Sequence, residues 1–225
     1  MISPIVSSAE PILLVGGGSV DNDGLRDAVG RYSTIVAADS GAAAVLDAGG
    51  MPDAVIGDMD SLPAEARAAL PPEVIHRIGE QDSTDFDKCL ARIDAPLIVG
   101  MGFLGRRVDH QLAVFTGLMR RAARKVLLIG AEDVVTLCPS RIALDLAPGT
   151  RVSLWPLSEV TGRSDGLRWP IADIPFAPWR VTGTSNMADG PVTLEMDAPG
   201  MLLILSAARA EDVALALRAA PHWSA

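Results

Sequence analysis

Three short apolar runs constrain this chain more than any other feature: residues 12–15, 34–38 and 54–57 are too short for helices, and each stops at residues that turn sharply. An uninterrupted apolar run of this length reads as a strand buried on both faces, and such strands belong to a parallel sheet covered by helices. The first run stops at Gly16, Gly17 and Gly18, the second at Asp39, Ser40 and Gly41, and the third at Gly57 with Asp58 and Asp60 beyond it. In an open parallel α/β sheet the carboxyl ends of the strands form the ligand crevice. One end here offers a glycine loop and two offer carboxylates, a combination that suits phosphate and metal.

Each motif also has a plain structural reading. Asp58 and Asp60, at i and i+2, fall on one side of an extended chain. One or two such carboxylates, completed by substrate phosphates, suffice for Mg²⁺. The same aspartates, with Ser61 and Pro63, equally make a turn and a helix cap before a helix over residues 63–70. The triple glycine lets a phosphate approach the backbone, or simply turns the chain from strand to helix. Residues 21–24 open like a calcium loop, but Arg26 and Tyr32 stand where glycine and a bidentate glutamate are required, which excludes that motif.

Residues 74–78 and 96–100 read as the fourth and fifth strands, and the segment between them is rich in chemistry. Asp82 or Thr84 can cap a helix there, with Asp85 or Asp87 three residues on as the partner. Asp85 and Lys88, at i and i+3, share a helical face and can instead act together toward metal or phosphate. After the fifth strand a glycine-hinged loop delivers Arg106, Arg107, Asp109 and His110. Arginine forks onto phosphoryl oxygens while aspartate orients it or binds metal, or the two cap the next helix. His110 reads as an ordinary helix residue, since no second histidine lies near it. A helix over 112–124 follows, its terminal cations Arg120, Arg121, Arg124 and Lys125 matching the helix dipole.

Beyond Pro139 the pattern changes to short β runs at 151–157, 192–196 and 201–205, broken by proline, glycine and aspartate. The expected fold class is therefore α/β. An N-terminal parallel-sheet α/β domain over residues 1–138 is followed by a smaller all-β, sandwich- or barrel-like domain over 139–225, with a terminal helix near 207–219. The polar stretches 166–169 and 183–186 fall between strands. Trp169 is a core ring or, beside Arg168, a flat platform for a ring substrate.

Composition narrows the partners. A net charge of −9 over 225 residues argues against a surface for nucleic acid or an anionic membrane, which requires clustered lysine and arginine. No apolar stretch approaches the roughly 18 residues a membrane helix needs. Two lone cysteines, Cys89 and Cys138, exclude a cysteine zinc framework and fit a reducing compartment, so a cytoplasmic location is expected.

Taken in order, the motifs resemble those of the thiamine pyrophosphokinase (thiamine diphosphokinase) family from Ile12 to about Leu205. The family's Ala-Asp-Gly-Gly-Ala-Asn is similar to residues 38–43, its Gly-Asp-x-Asp-Ser to 57–61, its Thr-Asp-Phe-x-Lys to 84–88, its Arg-x-Asp-His/Gln to 107–110 and its C-terminal Ser-Asn to Ser185 and Asn186. This chain departs from the pattern at Ser40 (glycine in the family), Ala43 (asparagine) and Arg106 (often a second glycine). The resemblance implies transfer of a pyrophosphoryl group from ATP to thiamine, with Mg²⁺ as cofactor, in a homodimer whose active-site cleft lies at the subunit interface. It further implies that Asp58, Asp60 and Asp85 hold the metal with Asp109 assisting, and that Lys88 and Arg107 face the phosphates. Asp39 would orient the nucleotide or the metal shell, Ser61 and Thr84 would contact substrate, and Ser185, Asn186 and Trp169 would address thiamine. A sugar-nucleotide transferase resting on Asp58 and Asp60 alone, and a sensor that binds without turnover, are the competing readings.

Overall fold

The computed structural model describes residues 3–105 and 107–224. Arg106, one of the departures from the family pattern, lies outside the described residues. The chain divides into two units, Met1–Gly117 with Leu128–Ala131, and Leu118–Leu127 with Glu132–Ala225. The sequence reading places the change of character at 138/139; the two units interleave between residues 118 and 132.

The first unit opens with β1 (Val6–Ser7), β2 (Ile12–Val15), α1 (Asn22–Arg31), β3 (Ile35–Ala38), α2 (Gly41–Asp47), β4 (Ala54–Gly57) and α3 (Ala64–Ala69). It continues through β5 (Ile75–Arg77), α4 (Asp85–Arg92), β6 (Ile93–Asp94), β7 (Ile98–Met101) and α5 (Val108–Arg120), and β8 (Val126–Ile129) straddles the division. Strands β7, β2, β3, β4 and β5 lie side by side in that order, all parallel, while β1 pairs separately with β6. Every residue of β2, β3 and β4 is buried, which is why they read as unbroken apolar runs. From β2 the chain steps outward through β3, β4 and β5, then returns to place β7 on the other side of β2. The order therefore reverses between β2 and β7, and the carboxyl ends there open the crevice expected of such a switch point.

Two expectations for this unit change. Asp21, whose calcium-loop reading the sequence already excludes, accepts a 2.8 Å hydrogen bond on its carboxylate from the Gly24 N–H and caps α1, a helix the sequence reading passed over. Helix α5 begins at Val108 and not at 112, so Asp109 and His110 stand in its first turn.

The second unit holds β9 (Asp133–Leu137), β10 (Arg141–Leu144), β11 (Arg151–Pro156), β12 (Gly162–Leu167), β13 (Gly183–Met196), β14 (Met201–Ser206) and α6 (Ala210–Ala219), and its strands pair antiparallel. The 14-residue β13 pairs with β11 through Gly183–Met187 and with β10 through 192–195, with Gly190 and Pro191 between the two stretches. A proline cannot donate to the ladder, so this is where one strand can pass from one set of partners to another. Residues 166–167 and 183–186 therefore lie within strands, not between them as expected, because backbone pairing compensates for their polar side chains. Lys125 serves the end of α6 and not that of α5: its ammonium donates to the carbonyls of Arg218 at 3.2 Å and Ala220 at 2.6 Å.

Candidate functional site

Asp39, Asp58 and Asp85 converge from three elements. Asp39 follows β3, Asp58 follows β4, and Asp85 opens α4, yet each offers a carboxylate oxygen within 4.8 Å of the others. Local backbone explains the convergence. Asp39 has φ 44° and Met59 φ 67°, left-handed conformations that cost energy for residues other than glycine and persist only where surroundings enforce them. The Asp39 turn is held by its own N–H on the Ile56 carbonyl at 3.1 Å and by the Ser61 N–H on Asp39 Oδ2 at 3.0 Å. The Asp58 turn is held by the Asp60 N–H on Asp58 Oδ1 at 3.1 Å and by Arg77 Nε on the Asp58 carbonyl at 3.2 Å. Gly57 keeps the space between them open: a Cβ there would lie 2.9 Å from Asp39 Cβ and 3.1 Å from Asp85 Oδ1.

Helix α4 supplies the cation. Thr84, extended at φ −74° and ψ 162°, accepts the Asp87 N–H on its hydroxyl at 3.2 Å. The capping partner is thus Asp87, which leaves Asp85 for the ligand side. Phe86, Cys89 and Leu90, at i, i+3 and i+4, are buried and anchor the helix. Lys88, its side chain only 1% exposed, donates to Asp58 Oδ2 at 3.1 Å and to Asp85 Oδ1 at 3.0 Å.

The charges in this cluster are unevenly settled. The hydrogen bond from Lys88, aided by the Asp60 N–H, holds Asp58 below the usual carboxylate range. Burial works against the Lys88 charge, but its bonds to Asp85 and Asp58 overcome that and raise its pKa. Asp39 goes the other way. Burial raises its pKa, the Ser61 N–H only partly offsets this, and the neighbouring charges of Asp85, Asp58 and Asp60 add to the rise. Asp39 is 3% exposed and its Oδ1 has no hydrogen-bond partner. A buried, unsatisfied carboxylate oxygen beside two further carboxylates is the donor set a hard divalent cation requires, so the residues present fit Mg²⁺.

These groups line a cavity of 610 Å³ at the carboxyl ends of the strands. Its lining includes Gly16–Gly18, Ser40, Ser61, Thr84, Phe86, Phe103, Arg107 and His110. Asp60 is exposed and stands outside the triad; its backbone, not its carboxylate, touches Asp58. Arg107 and Asp109 form an exposed two-bonded pair, Nε to Oδ1 at 3.1 Å and Nη2 to Oδ2 at 2.6 Å, which raises the arginine pKa and lowers that of the aspartate. His110, read from sequence as an ordinary helix residue, belongs to the cavity wall. Arg77 and Phe103 were not singled out by sequence; the signal for Arg77 was a cation ending the fourth strand.

The residues expected to address thiamine lie in the second unit. Asn186 is buried, and its amide is engaged by backbone: Nδ2 donates to the Trp169 carbonyl at 2.7 Å, while Oδ1 accepts from the N–H groups of Met187 at 2.8 Å and Trp169 at 3.3 Å. Ser185 has φ 63° and donates its N–H to Ser153 Oγ at 3.0 Å. Trp169 is 55% exposed, with the Arg168 guanidinium 6.0 Å from its ring centroid.

Comparison with known proteins agrees with the motif order. Residues 25–129 match the family model described as thiamin pyrophosphokinase, catalytic domain. Thiamine pyrophosphokinase 1 of Arabidopsis thaliana is 25% identical over 167 residues, 65% of this chain and 62% of that protein, so the chain spans under two thirds of this relative's length. Among solved structures, thiamin pyrophosphokinase from Geobacillus thermodenitrificans superposes with a TM-score of 0.71 at 26% identity, over 87% of this chain and 96% of the other. The enzyme of that name from Candida albicans gives 0.75 at 16% identity over 89% and 93%, a likeness of fold. Neither a sugar-nucleotide transferase nor a sensor finds support in these likenesses.

Proposed function

We propose that this chain, whose residues 25–129 match the thiamin pyrophosphokinase catalytic-domain model, is a member of that family and transfers the pyrophosphoryl group of ATP to the hydroxyethyl group of thiamine, giving thiamine diphosphate and AMP. The observation that carries this reading is the convergence of Asp39, Asp58 and Asp85, two of them bonded to Lys88, in a cavity whose lining includes Gly16–Gly18. In the reaction the thiamine oxygen bonds to the β-phosphorus, the bond from that phosphorus to the α,β-bridging oxygen breaks, AMP leaves with the oxygen, and the alcohol proton passes to a carboxylate. No covalent nucleophile is needed; positioning and charge stabilisation suffice.

Mg²⁺ is the proposed cofactor, held by Asp39, Asp58 and Asp85, with Asp60 two residues beyond Asp58; when bound it supplies charge neutralisation of the triphosphate. Lys88 orients two of these acids through its hydrogen bonds to Asp58 and Asp85, and Arg107, with Asp109 fixing its plane, faces the phosphates. Ser61, Thr84 and Ser40 offer hydroxyls among the acids, where donors suit phosphate oxygens. Ser185, Asn186 and Trp169 are assigned to thiamine, the tryptophan as ring platform and the buried amide as the brace that sets it.

The assembly is proposed to be a homodimer in the cytoplasm, with no nucleic-acid or membrane partner. Support comes from Trp155, Trp169 and Trp179, which are 39%, 55% and 69% exposed in a chain with only four tryptophans. Both cysteines are free and buried, and among the described residues no helix is long and apolar enough to cross a membrane. Incubation with thiamine, ATP and Mg²⁺, with AMP and thiamine diphosphate followed by chromatography, tests the activity. Equal appearance of both, abolished by chelator and by Asp58→Asn, is expected; release of ADP would overturn the reading.

A further inference from the structure

The acid centre occupies one end of the cavity. The other end is built differently, around the loop that follows β7. There Phe103 rests on glycine: a Cβ on Gly16 would meet its ring at 2.7 Å, and one on Gly100 at 3.2 Å, so two side chains are absent where the ring sits. Phe86 packs against it at 4.8 Å between centroids, the planes tilted by 53°. The loop itself is fixed by backbone, since the Gly16 N–H donates to the Met101 carbonyl at 2.8 Å and the Gly18 N–H to the Gly102 carbonyl at 2.9 Å. Gly102, at φ 78°, lies so close to Gly16 that neither position accommodates a side chain. Two of the chain's four phenylalanines are thus gathered at one cavity wall, one of them buried as support and the other partly exposed.

The sheet provides a ruler. From β7, which carries Phe103, to β4, which carries Asp58, is three strand spacings, on the order of 14 Å. An extended nucleoside triphosphate covers such a span from base to outer phosphates, with the Gly16–Gly18 loop beneath its middle. Helix α4 serves both ends: Asp85 and Phe86, adjacent and so about 100° apart around the helix, meet the acids and the ring respectively.

We propose that Phe103 is the platform on which the nucleotide base stacks, and that the described side chains around it hold the base by its face and do not read its edge. The inference rests on the family reading only in taking a nucleoside triphosphate as ligand. From Gly102 to Val114, among the described residues, the cavity is lined by glycine, Phe103, Arg107, His110 and Val114. No carboxylate or amide side chain in that stretch lines it. Arg107 keeps two of its N–H groups on Asp109 and turns the rest toward the phosphates, and a histidine ring nitrogen donates or accepts according to tautomer, which serves an amino and a carbonyl edge alike. Stacking tolerates every base, whereas a site built to hydrogen-bond a ring edge rejects the wrong one by several orders of magnitude. ATP and GTP are therefore accepted alike.

Calorimetric titration of the full chain with ATP, GTP and inorganic tripolyphosphate, in Mg²⁺ and without thiamine, tests this independently of any transfer. ATP and GTP are expected to bind within about fivefold of one another, and Phe103→Ala to weaken both by about tenfold or more while leaving tripolyphosphate unchanged. Phe103→Tyr keeps the ring and retains binding; Phe103→Leu, which preserves apolar packing, reproduces the loss if the alanine variant does not fold. A preference for ATP over GTP of a hundredfold or more overturns the proposal. So does equal weakening of tripolyphosphate, or an effect of Phe103→Ala on thiamine affinity and not on ATP. Transfer activity lost with these affinities intact would count against the family reaction alone.

Discussion

Lys88 and Asp58, 30 residues apart in the chain, meet at 3.1 Å across the carboxyl end of the parallel sheet. The lysine side chain is 1% exposed while Asp58 and Asp85 are 19% and 29% exposed, so a buried cation neutralises two acids that reach the cavity. Its removal leaves three carboxylates facing one another.

Lys88→Met, nearly isosteric and uncharged, is expected to cost about 3 kcal/mol, the low end for breaking a buried pair because both acids retain some water. Turnover should fall on the order of 10²–10³-fold, as for loss of a preorganised electrostatic group. Urea unfolding in chelator checks the first and the AMP assay the second. Full stability in the variant would mean that the pair does not hold the site together.

Titration of the cluster should be asymmetric. Asp58 lies below its ordinary 3.8, so its stabilising contribution is present at neutral pH and is lost only as pH falls through that depressed value. Lys88 lies above its ordinary 10.5, so its contribution is complete below 10.5 and is lost as pH rises through the raised value. Asp39 has the opposite sign: raised above 3.8 by burial, it favours folding while protonated and loses that contribution as pH rises through its own pKa. Asp39→Asn should therefore stabilise the protein in chelator at neutral pH, by about 1 kcal/mol, with the gain shrinking as pH falls toward 3.8. It should also abolish transfer and the Mg²⁺-induced rise in Tm. A melting series against pH, with and without Mg²⁺, reads the stability changes and the Mg²⁺ response, and the AMP assay reads transfer.

Much of this site was legible before the structure, for a physical reason. Strands β2, β3 and β4 are buried on both faces, so their sequences are unbroken apolar runs and their ends are marked by the acids and glycines themselves. What was not legible depends on backbone that sequence does not announce. Asp39 joins Asp58 and Asp85 only because Asp39 and Met59 adopt left-handed turns, and no pattern in residues 38–61 reveals that. Helix α1 was passed over because only Leu25 of its ten residues is fully buried, which leaves almost no apolar period to read. Strand β12, Gly-Arg-Ser-Asp-Gly-Leu, is nearly devoid of apolar residues and is recruited by pairing with β13.

Gly57→Ala probes the space inside the triad. The new methyl would meet Asp39 Cβ, which cannot swing away, and Asp85 Oδ1, which can. The fold should survive at a cost of about 1–3 kcal/mol from overpacking. The larger effect should be on metal: the rise in Tm expected when Mg²⁺ is added to the parent should be absent from the variant. An undiminished Mg²⁺ response would show that Asp39 and Asp85 do not need their present separation to bind the ion.

Ser185 separates structure from function in the second unit. At φ 63° it occupies a conformation that glycine adopts without cost, so Ser185→Gly should stabilise the protein by about 1 kcal/mol. The bond from its N–H to Ser153 Oγ belongs to the backbone and survives the change. If the hydroxyl contacts thiamine, the same variant must raise the KM for thiamine while leaving the KM for ATP in place. Greater stability with both KM values unchanged would remove Ser185 from the thiamine site, and lower stability would mean that the left-handed turn is set by contacts the serine side chain itself makes.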